Sequence, residues 1–510
     1  MRVVQLLKTI TPVFFLILLS CFDTEKETQF ELGDGEYEIA VPLVNTKVTV
    51  AKIAEESKGN TSIRISPEGK ATVLYNGEVI RRSSAAIFPP LPGLIPYPIV
   101  DTLSNVNLLF NNTYLLKKAV FKDTKINFYF ENSIPQDVNI KMRILELTKN
   151  GKIFESNFTL KYNNSVPVKL QSDQISIDGW TLQSETNSMT FHYEATLPNG
   201  QKIKLDNAQM NFDIIKFSYL DGYLGYHVFA VDGNIIDVGL FNKWLSGSFD
   251  FEDPKITISV DNAFGLPVRS RVNKMELTSI TGNTVNLESD FITSGIDFAF
   301  PTFSEIGAIK TTEFDFNKSN SNVRDVFNEK TKTIAYDISA LVNPEKDTTI
   351  KGFITGDSYF VVNVAVEVPL NGSVNQLVVT DTLEIDLDDF ESVQSAEFKS
   401  ITSNDFPADM RIQVFFLDEN GNSIDQLFNG EGFDLEAAPV QGNGKTLPGI
   451  EKTDLISFNK ERFEKIKKSK KIALVGKFNT TGSEQKKSWW IYDNYGLGLK
   501  LGAIIKYRKN

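Results

Sequence analysis

The sequence is poor in thiol and imidazole groups, the side chains that most often bind zinc or act as nucleophile and base at neutral pH. Its 510 residues include one cysteine, Cys21, and two histidines, His192 and His227. One cysteine forms no disulfide within a chain and no cysteine-rich zinc site. Both histidines stand in strand-like, aromatic surroundings, where a packed or surface histidine is the ordinary case, and a Ser-His-Asp set has no specificity without geometry. We therefore expect no catalytic residue, no metal, no cofactor and a protein that is not an enzyme.

Two acidic segments have the residue types of other sites. Residues 384–389 contain four carboxylates, as a glycosidase pair or a calcium site would, but a solvated turn after a strand explains them. Residues 418–422 match the opening of a calcium loop. They lack the glycine at its sixth position and the glutamate at its twelfth, so a hairpin is predicted instead.

The N-terminal residues predict an export signal. Arg2 and Lys8 precede an apolar run at 13–19, which is too short for the roughly 20 residues of a membrane-spanning helix. Leu18-Leu19-Ser20-Cys21 resembles the lipobox of bacterial lipoproteins. That resemblance implies a signal peptide at 1–20 and a mature chain whose Cys21 carries acyl chains on its sulfur and its amine, a stable membrane anchor. An ordinary secretory signal with a chance cysteine is the alternative.

An acidic segment follows the cysteine. Residues 21–38 contain seven acidic residues and one basic residue, which is typical of a solvated tether, here assigned to 21–35. The segment resembles the acidic stretch after the lipidated cysteine in many surface-exposed lipoproteins of Bacteroidota. The resemblance implies an outer-membrane protein displayed on the cell surface, and a periplasmic face is the alternative.

The charge of the mature chain is unevenly distributed. Removing residues 1–20 takes away two positive charges and changes the net charge from −12 to −14, yet residues 460–510 carry 14 Lys/Arg and 4 Asp/Glu. An acidic body opposes phosphate, so nucleic acid is not an expected partner. The basic segment suits acidic lipid head groups, a glycan or an acidic protein.

Alternating apolar residues predict an all-β chain. The pattern is clear at 138–144, 256–260 and 360–366, and Asn-Gly turns such as Asn150-Gly151 separate the runs. Hydrophobic residues make up 41% of the chain and charged residues 23%, as in soluble globular proteins.

A faint internal repeat organises these strands. Each copy has a strand ending in Asn, a Pro three to five residues later, a second strand and a turn Gly. The copies are Asn132…Pro135…Gly151, Asn262…Pro267…Gly282 and Asn404…Pro407…Gly421. We predict antiparallel β-sandwiches at 116–225, 226–345 and 346–455, with an N-terminal β region at 36–115 and a basic helix and closing strands at 456–510. Unrelated turns that share common turn residues are the alternative.

These units resemble immunoglobulin-like and late-embryogenesis-abundant type 2 sandwiches, in which an Asn-containing loop leading to a proline joins paired strands. Residues 116–440 are also similar to tandem-β lipoproteins of Bacteroidota. The resemblance implies tandem all-β sandwiches and carries over no catalytic residue.

A proline-rich segment at 87–99 contains five prolines between positions 89 and 98. This density breaks helices, so the segment is expected to be extended, either as a stiff connector or as a protruding loop. For the loop, the candidate partner or membrane contacts are Phe88, Leu91, Leu94, Ile95 and Tyr97.

Two further segments lie near the C-terminal end. Residues 460–471 are the best helix candidate, with Asn459 or Ser457 as its cap, and the candidate contacts of this helix are Arg462, Lys465, Lys467 and Lys468. A solvated connecting helix is the alternative. Trp489 and Trp490 fit a closing strand or a sugar-stacking platform.

The sequence thus favours a non-enzymatic cell-envelope lipoprotein that presents β-sandwich domains for binding or structural interaction. Its partners would be the membrane, through Cys21, and an outer-membrane protein. The alternatives are an accessory subunit of an export or barrel-assembly complex and a carbohydrate-binding or carbohydrate-active protein.

Overall fold

The computed structural model describes residues 35–56, 61–87, 91–92, 96–107, 115–237, 244–384 and 393–509. The fold is all-β, with antiparallel sheets and short helices between strands, so the fold class predicted from the alternating residues is confirmed. In the strand Val138–Lys149, the alternate residues Val138, Ile140, Met142 and Ile144 are all buried, because successive side chains of a strand point to opposite faces.

The elements as far as residue 160 are β1 (Gly35–Thr49), α1 (Val50–Glu56), β2 (Thr61–Ile65), β3 (Ala71–Ser83), α2 (Ser84–Ile87), β4 (Leu91–Pro92), β5 (Tyr97–Pro98), β6 (Leu103–Asn107), β7 (Leu115–Phe121), β8 (Lys125–Asn132), β9 (Val138–Lys149) and β10 (Lys152–Leu160). The next are β11 (Val168–Gln171), β12 (Ile175–Ser176), β13 (Thr181–Gln183), β14 (Ser188–Thr196), β15 (Lys202–Ile203), β16 (Asn207–Phe212), β17 (Ile214–Ile215), β18 (Phe217–Tyr223), β19 (His227–Asp237) and β20 (Trp244–Phe251).

Then follow β21 (Lys255–Asn262), β22 (Val268–Ser279), β23 (Thr284–Asn286), α3 (Asp290–Ser294), β24 (Asp297–Phe298), a 3-10 helix (Phe303–Glu305), β25 (Lys310–Phe316), α4 (Val323–Asn328), β26 (Thr331–Val342), β27 (Gly352–Thr355) and β28 (Tyr359–Pro369). The remaining elements are β29 (Asn371–Glu384), β30 (Val393–Asn404), β31 (Ala408–Leu417), β32 (Ser423–Gln426), β33 (Phe433–Leu435), β34 (Lys452–Asn459), α5 (Lys460–Ile466), β35 (Lys471–Thr480), a second 3-10 helix (Ser483–Gln485), β36 (Trp489–Trp490) and β37 (Gly496–Lys509).

The sheets pack in pairs. In the first sandwich, the sheet β11-β8-β16-β5 packs on the sheet β15-β14-β9-β13-β7-β18-β27. In the middle sandwich, the sheet β2-β3-β28-β21-β25 packs on the sheet β19-β26-β22-β23. In the third sandwich, the sheet β1-β37-β30-β34 packs on the sheet β20-β29-β35-β31-β32.

Strand pairing joins parts of the chain that are far apart in sequence. β3, from the predicted N-terminal region, and β28, from the segment 346–455, pair with each other in the middle sandwich. β1 pairs with β37 along its whole length, and β27 pairs with β18. The sheets therefore contain strands from both sides of the predicted boundaries.

The three asparagines of the predicted motif are almost fully buried, with exposures of 1% for Asn132, 0% for Asn262 and 2% for Asn404. Each is the last residue of its strand, and the chain then crosses to the facing sheet. The Asn262 Oδ1 accepts from the amide of Phe264 at 2.9 Å, and the Asn404 Oδ1 accepts from the amide of Phe406 at 3.0 Å. Where the chain crosses, these backbone groups lose their hydrogen-bond partners in the sheet, and the asparagine side chains supply new partners.

The turn glycines of the motif also occupy equivalent places. Gly151, Gly282 and Gly421 lie in the turns that follow β9, β22 and β31, and all three have positive φ, at 75°, 86° and 83°. Glycine adopts this conformation without the steric strain that a Cβ atom would cause.

Candidate functional site

The inward face of β28 is the starting point of the candidate site. Phe360, Val362, Val364, Val366 and Val368 alternate along this strand and face β22 and β26 of the other sheet. Val364 lies beside Ile258 of β21 and beside Gly77 of β3. Four of these five residues are valines, and the neighbouring position on β3 is a glycine. Their side chains therefore fill little of the space in the middle of this sandwich.

A cavity of about 210 Å³ lies between the two sheets, which we call the apolar cleft. Its walls come from β3, β21, β22, β25, β26 and β28, together with residues next to these strands. The residues that line the cavity, almost all of them apolar, are Val73, Tyr75, Val79, Ile80, Ile256, Ile258, Val260, Ser270, Val272, Met275, Leu277, Leu287, Phe291, Ile296, Phe298, Phe314, Phe316, Val326, Phe327, Thr331, Ile334, Tyr336, Ile338, Ser339, Ala340, Phe360, Val362, Val364, Val366 and Val368. An apolar cavity of about 150 Å³ stays dry and admits benzene, so this space is large enough for an apolar ligand.

The first sandwich shows what fills the same kind of space elsewhere in the chain. Phe128 and Phe130 of β8 are fully buried, and the Phe158 ring lies 5.4 Å and 5.1 Å from their rings. On β28 of the middle sandwich, Val364 and Val366 are smaller and only partly buried. The cleft therefore follows from the choice of side chains and is not a general property of the architecture.

Aromatic residues close the cleft on one side and at one end. The Phe291 ring packs edge-on against Phe314 at 5.6 Å and against Phe316 at 6.0 Å, beside β25. Phe298 and Phe360, 5.7 Å apart, close one end. Val326 and Phe327 of α4 are buried and belong to the packed cluster at the other end, with Phe316 and Val368.

The remaining side of the apolar cleft is formed by β3. Among the described residues, β2 pairs with β3 only from Ala71 to Tyr75, so the stretch 76–83 has a strand partner, β28, on one side only. β3 also contains a bulge at Val79, where the pairing passes from Glu78–Asn363 to Ile80–Val362. The bulge turns both Val79 and Ile80 toward the cleft.

One polar group of the wall has no partner within the described structure, and this group is the Tyr75 hydroxyl. The ring of Tyr75 runs along β3 over Gly77, where an added Cβ atom would lie 2.6 Å from the Tyr75 Oη. Any side chain at position 77 would meet this hydroxyl. The glycine therefore allows Tyr75 to hold its Oη level with the middle of the cleft.

Three of the other four hydroxyls on the wall, those of Ser270, Thr331 and Ser339, form hydrogen bonds within the protein. Ser270 accepts from the amide of Ile296 at 2.8 Å, and Ser339 accepts from Asn273 Nδ2 at 2.9 Å. Thr331 donates to the carbonyl of Val326 at 2.7 Å. These hydroxyls already have hydrogen-bond partners, so they are less available to a ligand than the Tyr75 hydroxyl is.

The wall residues carry no charge at neutral pH, and the ion pairs nearby lie on the outer face. Glu78 accepts two hydrogen bonds from Arg81, at 3.0 Å and 2.7 Å, and these bonds hold the pKa of the carboxyl below its usual value. On the same outer face, Glu367 pairs with Arg64 at 2.7 Å and with Lys255 at 3.2 Å. The interior is suited to uncharged groups only.

The proline-rich segment lies partly outside the described residues, including Phe88, Leu94 and Ile95. Leu91 belongs to β4, which pairs with β17. Tyr97 is buried, and its ring packs edge-on against Phe212 at 5.7 Å. Tyr97 therefore belongs to the core of the first sandwich and is not exposed for the partner contact suggested from the sequence. Cys21 also lies outside the described residues.

The helix predicted at 460–471 is present but shorter, because α5 ends at Ile466 and β35 begins at Lys471. Asn459 caps it by accepting from the amide of Arg462 at 2.8 Å. Arg462 does not face a partner, because its guanidinium lies over the Phe458 ring at 4.1 Å and donates to Asp425 and to the carbonyls of Gln426 and Leu427. Lys467 lies 4.0 Å from Glu464, whereas Lys465 and Lys468 are exposed.

The two adjacent tryptophans do not form a stacking platform. Trp489 is buried and donates from its indole nitrogen to the carbonyl of Thr481 at 2.7 Å. Trp490 points to the other face of β36, and the Lys70 Nζ lies 4.7 Å from its ring centre. Both tryptophans lie in the short strand β36, in agreement with the closing-strand interpretation.

Other candidate sites gain no support from the geometry. His227 bonds the carbonyl of Leu224 at 2.8 Å, and the 418–422 segment forms the predicted hairpin, with Asp418 accepting from Asn420 and Asn422. Most of the acidic segment 384–389 lies outside the described residues. Within the described ranges, three or more His, Cys, Asp or Glu side chains nowhere gather as a metal site would require. In the same ranges, every helix is too short or too polar to cross a bilayer.

Sequence reasoning missed the apolar cleft. The alternation at 360–366 correctly predicted a strand, and its small valines were the available signal of an underfilled core. The pairing of β28 with β3, which places Gly77 and Tyr75 beside these valines, joins residues nearly 290 positions apart. No local pattern reveals such a pairing.

No family model matches the sequence, and no curated protein matches it either. Among solved structures, a candidate secreted protein from Parabacteroides distasonis is 13% identical, with 93% of this chain and 100% of that chain covered and a TM-score of 0.25. An infectious bursal disease virus structure of the Gt strain is 9% identical over 97% of this chain and 87% of that chain, with a TM-score of 0.13. The VP2 subviral particle of the same virus is 9% identical over 98% and 87%, with a TM-score of 0.15. At these TM-scores the similarities carry no argument about function.

Proposed function

We propose that the protein is a non-enzymatic cell-envelope lipoprotein, anchored through Cys21, that binds an apolar molecule in the apolar cleft of its middle sandwich. The observation that carries the binding function is the cavity of about 210 Å³ between sheets whose facing side chains are almost all hydrocarbon. The lipobox-like residues before Cys21 and the acidic segment after it support the anchor.

The energetics favour a ligand. Empty apolar space costs about 24 cal/mol per Å³ in engineered cavities, so an unfilled cleft of this size would destabilise the sandwich by on the order of 5 kcal/mol. An apolar ligand that fills the space replaces the missing dispersion contacts. The protein is therefore expected to be more stable with a ligand than without one.

A fluorescence titration tests the binding function. The full mature chain carrying Cys21→Ser needs no detergent, and it is titrated with N-phenyl-1-naphthylamine, which fluoresces in apolar surroundings. We expect saturable binding that Val364→Trp abolishes, because the indole occupies the middle of the cleft. Leu455→Trp is the matched control, since Leu455 is 57% exposed on β34 of the third sandwich.

Equal binding by the two tryptophan variants would reject the cleft as the site. If Val364→Trp does not fold, as judged by circular dichroism, Ile258→Phe replaces it, because Ile258 lines the same space from β21.

The anchor needs a separate experiment in cells. Labelled palmitate should be incorporated into the wild-type chain and not into Cys21→Ala. Protease treatment of intact cells then separates display on the cell surface from a periplasmic location. Release of an unmodified wild-type chain into the medium would contradict the anchor and leave the cleft unaffected.

A further inference from the structure

We propose that the ligand of the apolar cleft is a single acyl chain with an uncharged oxygen part-way along it, and that the Tyr75 hydroxyl bonds this oxygen. The inference rests on the proposed function of the cleft. It specifies the class of ligand and the residue that selects it.

The shape of the cleft favours a chain. β28 lines it from Phe360 to Val368, eight residue steps or roughly 26 Å along the strand. Packed sheets are separated by only about 10 Å, and side chains occupy much of that distance. A space that is long along the strands and narrow between the sheets fits one extended hydrocarbon chain better than a fused ring system.

The position of Tyr75 indicates that the ligand oxygen lies part-way along the acyl chain and not at its end. Its hydroxyl lies over Gly77, and Gly77 is the register partner of Val364, near the middle of the lined stretch. The Tyr75 hydroxyl makes no hydrogen bond to the described residues, and a ligand oxygen at this depth would give it a partner. A hydroxyl, a ketone or an ester along the chain meets this requirement, whereas a plain alkane does not.

The wall also determines the charge of the ligand. The lining residues near Tyr75 are Val79, Val364 and Val366, and the neighbouring Glu78 and Arg81 pair with each other on the outer face. A carboxylate at the depth of Tyr75 would lose its hydration and find no cation there. The bound oxygen is therefore uncharged.

A displacement assay with three probes tests this inference. Decane, 2-decanone and decanoate compete with N-phenyl-1-naphthylamine for the full mature chain carrying Cys21→Ser. We expect Tyr75→Phe to weaken 2-decanone about three- to tenfold, the loss of one neutral hydrogen bond, and to leave decane unchanged. Decanoate should bind more weakly than 2-decanone.

A second variant tests the same hydroxyl from the neighbouring residue. Gly77→Ala places a methyl group 2.6 Å from the present position of the Tyr75 Oη and so displaces this hydroxyl, which should weaken 2-decanone as Tyr75→Phe does. Gly442→Ala is the matched control, since nothing lies within 4 Å of its added Cβ atom.

The outcomes separate the inference from the proposed function. If the dye and decane bind but Tyr75→Phe does not change the affinity for 2-decanone, or if decanoate binds most tightly, the acyl-chain inference is wrong while the cleft remains a binding site. If the dye does not bind at all, the proposed function itself is wrong.

Discussion

At the scale of single residues, the buried asparagines explain how the chain passes from one sheet to the other. Asn404 has the fullest set of contacts, because its Nδ2 also donates to the carbonyls of Ala408 at 2.8 Å and Glu436 at 2.9 Å. For Asn132, the structure gives one longer bond, to the carbonyl of Ile134 at 3.3 Å. The energetic importance of the three positions should therefore differ.

We predict that Asn404→Ala lowers the free energy of unfolding by about 2–4 kcal/mol, because buried backbone groups lose their partners at about 1–3 kcal/mol each. Asn132→Ala should cost less, since fewer bonds are lost. Urea unfolding followed by fluorescence measures both variants. A larger loss for Asn132→Ala than for Asn404→Ala would contradict this assignment.

These residues also show what a sequence can predict. The Asn-Pro-Gly spacing predicted two successive strands and a turn glycine at each of these places, because these conformations depend on local residue types, but it did not predict that the chain crosses between sheets there. Tyr75 and Arg462 could not be interpreted in this way. The role of Tyr75 depends on Gly77 and on a strand nearly 290 positions away, and Arg462 has partners on a segment about 35 positions earlier.

At the scale of elements, the 3-10 helix at 303–305 is stabilised by one carboxylate. Glu305 accepts from the Lys310 Nζ at 2.6 Å and from the amide and the hydroxyl of Thr302, each at 3.0 Å. These bonds, with Lys310 contributing most, lower the pKa of Glu305 to about 2 from an ordinary value of 4.5. The ionised form therefore stabilises the folded state.

The sign of this pKa shift predicts a pH dependence. The folded-state pKa is lowered, so the stabilisation is fully present above about pH 4.5 and is lost as the pH falls toward 2. We expect the wild-type chain to be more stable than Glu305→Gln at pH 7 and the difference to shrink between pH 4.5 and 2. Urea unfolding of both chains at several pH values measures this difference, and a constant difference would contradict the prediction.

Helix α5 shows how much of one element can be predicted from the sequence. The sequence predicts this helix with Asn459 or Ser457 as its cap, and the structure selects Asn459 and buries Phe463 and Ile466. Its basic residues are not equivalent, because only the tertiary packing determines that Arg462 faces inward and Lys465 outward.

At the scale of the whole molecule, β37 is a central strand. It pairs with β1 on one side and with β30 on the other, both antiparallel. The all-β class could be predicted because alternation is local, whereas the order of strands could not, because it depends on pairs hundreds of residues apart.

We predict that deleting residues 496–510 unfolds the sheet β1-β37-β30-β34 and leaves the first sandwich folded, since the first sandwich has its own core. Hydrogen exchange should show lost protection in β30 and β34 and retained protection in β8 and β9. Deleting only residues 507–510, which removes the outer end of the pairing with β1, is the milder control. Loss of protection throughout the chain would indicate a single cooperative unit.

The pairing of β1 with β37 also affects how the protein matures in a cell. β1 is the first strand that the structure describes, and its strand partner β37 is made only after more than 440 further residues. Until then, the backbone N–H and C=O groups along β1 have no strand partner and are open to chaperones and proteases. Incompletely translated copies would therefore differ from finished ones in the accessibility of β1.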